Sequence, residues 1–187
     1  MTYLSQSLTF ESNKITFQDS WGDTFEVMMD WEDTLMSASA AYVCEGGGDI
    51  LEIGFGMGIS ADYIQTHTIN SHTIIENHPD IITKAQEWAA DKSNVTIVEG
   101  DWYDVKGTLS TYDGVFYDTY GDDNSRKFSG SLSSLIKEGG KSTWWNNFDN
   151  ITDVFYLEGT TYESISVSPP ANSYFNSTTY YLPKKQF

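Results

Sequence analysis

The sequence predicts an α/β domain whose doubly wound, mostly parallel sheet ends in an antiparallel hairpin. Three observations carry that expectation. Short apolar runs alternate with helical patterns as far as Trp145, and strands joined through helices lie parallel. A glycine-rich turn, Gly54-Phe-Gly56-Met-Gly58, follows the first of those runs. The last two β-type runs have no helix between them, so they pair with each other at an edge.

The elements follow in order. Residues 1–20 mix polar and aromatic side chains without a period and read as a short strand or a mobile arm; residues 1–30 are an arm or lid on a single domain spanning 1–187. Thr34 to Cys44 is Ala-rich and helical, stopping at Gly46-Gly-Gly48. Asp49-Ile-Leu-Glu-Ile-Gly54 has the character of a buried parallel strand. A helix is predicted from Met57 to about His67 and a strand over Thr73–Glu76. Pro79 to Asp91 is a helix with proline in its first turn and Ile81, Ile82, Ala85, Trp88 and Ala89 on one face. Strands are expected at Asn94–Val98 and Gly114–Tyr117. A helix then runs from Phe128 to Lys137, closed by Gly139-Gly140, and a fifth strand covers Ser142–Trp145. Tyr162–Val167 and Thr178–Leu182 form the hairpin, its loop starting at Pro169-Pro170.

Bulk composition narrows the partners. Among 187 residues, 27 acids against 10 bases give a formal charge of −17, which repels nucleic acid and anionic lipid and leaves a small cationic molecule as the better ligand. Cys44 is the one cysteine, so no internal disulfide forms, and three scattered histidines make no metal site. There is no signal-peptide pattern and no run of about 20 apolar residues, so the expectation is a soluble, cytoplasmic monomer or homodimer.

Three features then point to a cofactor. The glycines are spaced GxGxG rather than GxGxxG, so the backbone admits a ligand closely with no pyrophosphate to cradle. Glu76 ends the second strand, where an acid can accept from both ribose hydroxyls. Gly100-Asp101-Trp102 follows the third strand, where Asp101 would accept from an adenine amine and Trp102 would pack near the ring. Together they predict S-adenosylmethionine on a Rossmann-like, class I methyltransferase sheet, with S-adenosylhomocysteine as product.

Several blocks resemble guanidinoacetate N-methyltransferase and its arginine-methylating relatives. They are Val27-Met-Met-Asp-Trp-Glu32-Asp-Thr-Leu-Met36, Leu51-Glu-Ile-Gly-Phe-Gly-Met57, Ile74-Ile-Glu76-Asn77, Asp113-Gly-Val-Phe-Tyr-Asp118-Thr-Tyr120, and a terminal Pro169-Pro-Ala-Asn with Tyr180-Tyr-Leu-Pro183. The likeness runs from about Trp21 to the end. It implies that Met28, Met36, the loop Gly54, Phe55, Gly56, Met57, Gly58, Ile59 and Ser60, and then Glu76, Asn77, Asp101, Trp102 and Asp118 surround the cofactor. It further implies that Glu32 and Asp118 are catalytic and grip the acceptor's guanidino group, and that Asn147 and Phe148 face its carboxylate. Chemistry supports an acid pair there, because methyl transfer from a sulfonium brings two cationic groups together. Departures from the resemblance are Trp144-Trp-Asn-Asn-Phe148, where the family is more polar, and a short stretch before Tyr162, which predicts a lost or reduced helix. The expected acceptor is guanidinoacetate; arginine or another small guanidino or amino compound is the alternative, and a SAM-binding protein without catalysis is the third reading.

Overall fold

The computed structural model describes residues 3–148, 151, 155 and 157–187. It opens with a small antiparallel sheet of β1 (Thr9–Phe10), β2 (Lys14–Gln18) and β3 (Thr24–Met29). A short strand or mobile arm was the expectation here; a complete three-stranded sheet is found instead. The β2–β3 turn explains it, since Asp19 accepts the amide protons of Trp21 (2.8 Å) and Asp23 (3.0 Å) and Gly22 supplies a φ of +89°.

The large sheet uses β4 (Asp49–Ile53), β5 (Ser71–Glu76), β6 (Val95–Glu99), β7 (Tyr112–Tyr117), β8 (Ile136–Trp144), β9 (Thr161–Ser166) and β10 (Thr179–Gln186). Its spatial order is β6-β5-β4-β7-β8-β10-β9, with β4 to β8 parallel and β10 antiparallel to both neighbours. The helices are α1 (Asp33–Val43), α2 (Ile59–Gln65), α3 (Pro79–Ala89) and the short α4 (Trp102–Val105) and α5 (Phe128–Leu132). Strand order reverses between β4 and β7, so a crevice opens at their carboxyl ends.

Side-chain alternation along β4 builds the core on both faces. Ile50 packs with Leu35, Met36, Val43 and the hairpin's Tyr180 and Leu182, while Leu51 and Ile53 pack with Val115, Phe128, Leu132 and Trp144. On the first face the fully buried Glu52 accepts from Ser60 and meets His72 Nε2 at 2.9 Å, so the buried acid of this strand is paired. The α3 helix starts as the sequence implied. His78 caps it, taking the Asp80 amide proton at 3.2 Å, and Ile81 and Ala85 are buried.

Two expectations are corrected. The helix predicted over Phe128–Lys137 ends at Leu132, and Gly139-Gly140 lie inside β8 rather than closing a helix. Ile136 pairs with Tyr112 and Lys141 with Gly114, so the glycines absorb a bulge whose backbone pairs with Phe187 (2.7 and 3.0 Å). The short α4 was not foreseen. Asp101 starts it by accepting the Tyr103 amide proton at 2.8 Å. The helix expected to be lost before Tyr162 falls largely outside the described residues.

Gly114 lets the end of α1 settle on β7, because a Cβ there would meet the Val43 carbonyl oxygen and Ile50 Cδ1. Gly114→Ala should therefore cost about 2–3 kcal/mol by overpacking, read as a lower midpoint in urea denaturation. A wild-type midpoint would show that this approach is not tight.

Candidate active site

A cavity lies over the carboxyl ends of β4, β5 and β7, and its walls reach to β3 and to the loop before β10. Its floor is the glycine turn. Gly54, Gly56 and Gly58 all have positive φ (+95°, +55° and +78°), which side chains other than glycine rarely adopt. Gly54 donates to the Ile75 carbonyl and Asp118 donates to the Ile53 carbonyl, both at 2.9 Å. A Cβ on Gly54 would run into the Asp118 carbonyl oxygen, so only glycine lets the β7 end lie this close. Above the turn, Met28 Sδ accepts the Met57 amide proton at 3.2 Å and would touch any Cβ on Gly56.

Glu76 is buried, and three amides fix it. Phe55 donates to Oε2 (2.9 Å), and Asn77 (2.8 Å) and His78 (2.9 Å) donate to Oε1. That leaves Oε2 able to accept a further hydroxyl, as a ribose would offer. At the neighbouring end, Trp102 is buried with its indole N–H donating to Asp122 Oδ2 at 2.7 Å; Tyr117 donates to the same oxygen. A glycine floor, an acid with a free lone pair and a ring wall fit the ribose and adenine of S-adenosylmethionine.

The far end is acidic. Glu32 sits on the 3₁₀ turn between β3 and α1, where Oε1 accepts the Met29 amide proton (2.8 Å) and the Tyr174 hydroxyl proton (2.6 Å). Burial pushes its carboxyl up to about 7, against the pull of those two hydrogen bonds. Asp118, just past β7, is held well above the usual carboxylate range by burial first and then by the charges of Glu32 and Glu52. Among the described residues, neither Glu32 Oε2 nor the Asp118 carboxylate has a hydrogen-bond partner. Trp145 and Tyr174 form the aromatic wall beside them, with ring centroids 6.0 Å apart.

The cavity thus brings together Met28, Glu32, Gly54, Phe55, Gly56, Ser60, Glu76, Asn77, Trp102, Asp118 and Asn147 of the residues expected from the sequence. It does not include the rest. Met36 is packed in the core between the sheet and α1. Met57 and Ile59 pack against that same core, and Gly58 turns the chain into α2. Asp101 has both oxygens engaged, by the Tyr103 amide and by Asn124 Nδ2 (2.8 Å each), and does not line the cavity. Phe148 lines a smaller adjoining pocket that shares Asn147 and Tyr174 with the main one. Among the lining residues that escaped the sequence reading are Tyr3, Asp122, Trp145 and Tyr174. Asp122 follows the Asp118 block directly, so its neighbourhood was a usable signal.

Comparison with known proteins bears on the family and the fold. The profile of the family described as guanidinoacetate N-methyltransferase matches residues 21–146. Protein arginine N-methyltransferase 2 of Aspergillus fumigatus is 34% identical over 164 residues, covering 82% of this chain and 38% of that protein. Its counterpart of the same description in Kluyveromyces lactis is 30% identical, covering 100% of this chain and 53% of that protein. The chain therefore spans between roughly a third and a half of the length of these relatives. Among solved structures, the N-methyltransferase NodS of Bradyrhizobium japonicum superposes with a TM-score of 0.65 at 15% identity, over 83% of this chain and 96% of that one. Spermidine synthase of Thermotoga maritima gives 0.64 at 12% identity, over 96% and 72%. At those identities the likeness is one of fold, that of the class I methyltransferases. With the family profile covering most of the chain, the protein belongs to the guanidinoacetate N-methyltransferase family and takes S-adenosylmethionine as its cofactor.

Proposed function

We propose that this chain N-methylates a guanidino group, which Glu32 and Asp118 hold at the end of the cavity. The observation that carries the reading is the acid pair itself. A buried carboxylate beside a half-buried one, with free oxygens and no cation among the described lining residues, is poorly satisfied until a cationic donor arrives. A planar guanidinium offers several N–H donors in a fork that suits two carboxylates.

When bound, S-adenosylmethionine supplies a methyl group on a positively charged sulfonium. A guanidinium about 4 Å away would be repelled by roughly 4 kcal/mol at an effective dielectric near 20, and the carboxylates offset that cost. They also fix the attacking nitrogen in line and accept the proton it releases. Trp145 and Tyr174 wall the acceptor end.

The acceptor that fits best is an arginine side chain. Among the described residues no Lys, Arg or His lines the cavity, so the carboxylate of guanidinoacetate would enter a site with four acids and no base among those residues. The Phe148 amide, expected to meet that carboxylate, donates instead to Asn146 Oδ1 at 3.1 Å. The description of the relatives as protein arginine N-methyltransferases supports the same choice. Guanidinoacetate is the second reading, favoured by the family profile.

Turnover measured by mass spectrometry over arginine peptides, free arginine and guanidinoacetate should place the peptides first. Methylation of neutral or anionic compounds with guanidino compounds ignored would defeat the proposal. Asp118→Asn should lower turnover by about 10²-fold or more while S-adenosylhomocysteine still binds, whereas Glu76→Ala should weaken that binding first. A wild-type rate in Asp118→Asn would make that residue structural.

Glu32 also has a stability signature. Its folded pKa, about 7, lies above the ordinary 4.5, so its favourable contribution is complete below about pH 4.5 and is lost as pH rises through 7. Glu32→Gln should accordingly be more stable than wild type by about 1–3 kcal/mol at pH 8, with the gap closing below about pH 5. Equal stabilities across that range, by urea denaturation, would mean the carboxylate is not strained in the fold.

A further inference from the structure

We infer that Tyr174 is a positioning residue, whose hydroxyl fixes the Glu32 carboxylate so that one oxygen is delivered to the acceptor. The inference rests on the acid-pair reading above and adds a residue to it. Tyr174 donates to Glu32 Oε1 at 2.6 Å, and the Met29 amide donates to the same oxygen at 2.8 Å. Two donors on one oxygen set both the position and the plane of the carboxylate and leave Oε2 for a ligand.

The contact joins parts of the chain 142 residues apart, so something must hold the loop that carries it. Asn172 Oδ1 accepts the amide protons of Tyr174 (2.9 Å) and Phe175 (2.7 Å), which fixes the loop on itself. Ser173 donates through its amide (3.1 Å) and hydroxyl (2.6 Å) to Glu26 Oε2, which latches the loop to β3. The Tyr174 ring stacks on Trp31 at 6.1 Å and 27°, beside the turn that holds Glu32. The terminal hairpin loop therefore completes the amino-terminal half of the acid pair.

Titration should report this contact. The titratable groups that feel the Glu32 charge are Asp118 at the end of β7, Tyr174 itself and Tyr180 on β10; both phenols are raised and stay neutral, so Asp118 is the one of the three that can carry charge. Burial, with the Glu32 charge next, raises the Tyr174 phenol so that it stays a donor throughout the working range. Its hydrogen bond favours the ionised carboxylate, so removing it must raise the Glu32 pKa further.

The test is a carboxyl-carbon NMR titration of Glu32 in the full chain bound to S-adenosylhomocysteine, for wild type, Tyr174→Phe and Ser173→Ala. The phenylalanine keeps the ring on Trp31 and removes only the donor. Its Glu32 midpoint should rise by about one pH unit, and Ser173→Ala should move it the same way by less. With the best guanidino acceptor, Tyr174→Phe should raise KM by about ten-fold and shift the acid limb of the rate profile upward. In a Glu32→Gln background the same change should alter KM by less than about two-fold. An unmoved Glu32 midpoint in both variants overturns the inference. Failure of the acid-pair reading looks different: Glu32→Gln would keep the wild-type KM whatever Tyr174 does.

Discussion

A buried Glu32 beside a half-buried Asp118 at one end of a cavity, with no cation among the described lining residues, places a demand that the rest of the structure is arranged to sustain. Left alone, such a pair would protonate or draw water in. Here Glu32 is kept in place by the Met29 amide and the Tyr174 hydroxyl, and Asp118 by the backbone bond that its amide makes to Ile53. The cost is local instability in the empty site, and the gain is a demand for a cationic, planar donor.

The backbone brings the two acids to the cofactor by close approach. Gly54 has no Cβ, so the end of β7 can press against the turn, and Asp118 ends up beside the place where the methyl donor must lie. Beneath that turn the buried Ser60–Glu52–His72 chain holds the start of α2 against β4 and β5. Its charge also contributes to raising Asp118. Stability of the loop and the acidity of the site are in this way coupled through one buried residue.

Much of this was legible in the sequence where the signal is local. The β4 run, the three glycines and Glu76 lie within 28 positions of one another, and each follows from strand, turn and strand-end chemistry. Glu32 and Asp118 could be picked out because flanking motifs mark them. What was not legible depends on distant contacts. Gly139-Gly140 read as a helix stop because the bulge that absorbs them is set by pairing with β7 and Phe187. Met36 looked like a pocket residue and is core, since which side of α1 meets the sheet is decided by packing with Ile50 and Tyr180. Asp101 caps a helix too short to show a period. Tyr174 stands in an aromatic stretch where nothing local says which ring will meet an acid 142 residues away. The amino-terminal sheet, like Asp122, is a miss with an available signal, here the Asp19-Ser-Trp-Gly22-Asp23 turn.

The most direct test of the acid pair is calorimetric titration of an arginine peptide into the protein saturated with S-adenosylhomocysteine, between pH 5.5 and 8.5, in buffers of different ionisation enthalpy. With Glu32 titrating near 7 in the absence of acceptor, affinity should rise about ten-fold per pH unit below 7 and level off above it, with about one proton released per peptide near pH 6. Affinity independent of pH, with no proton exchanged, would contradict the claim that the guanidinium is bound by displacing a proton from a buried carboxylate.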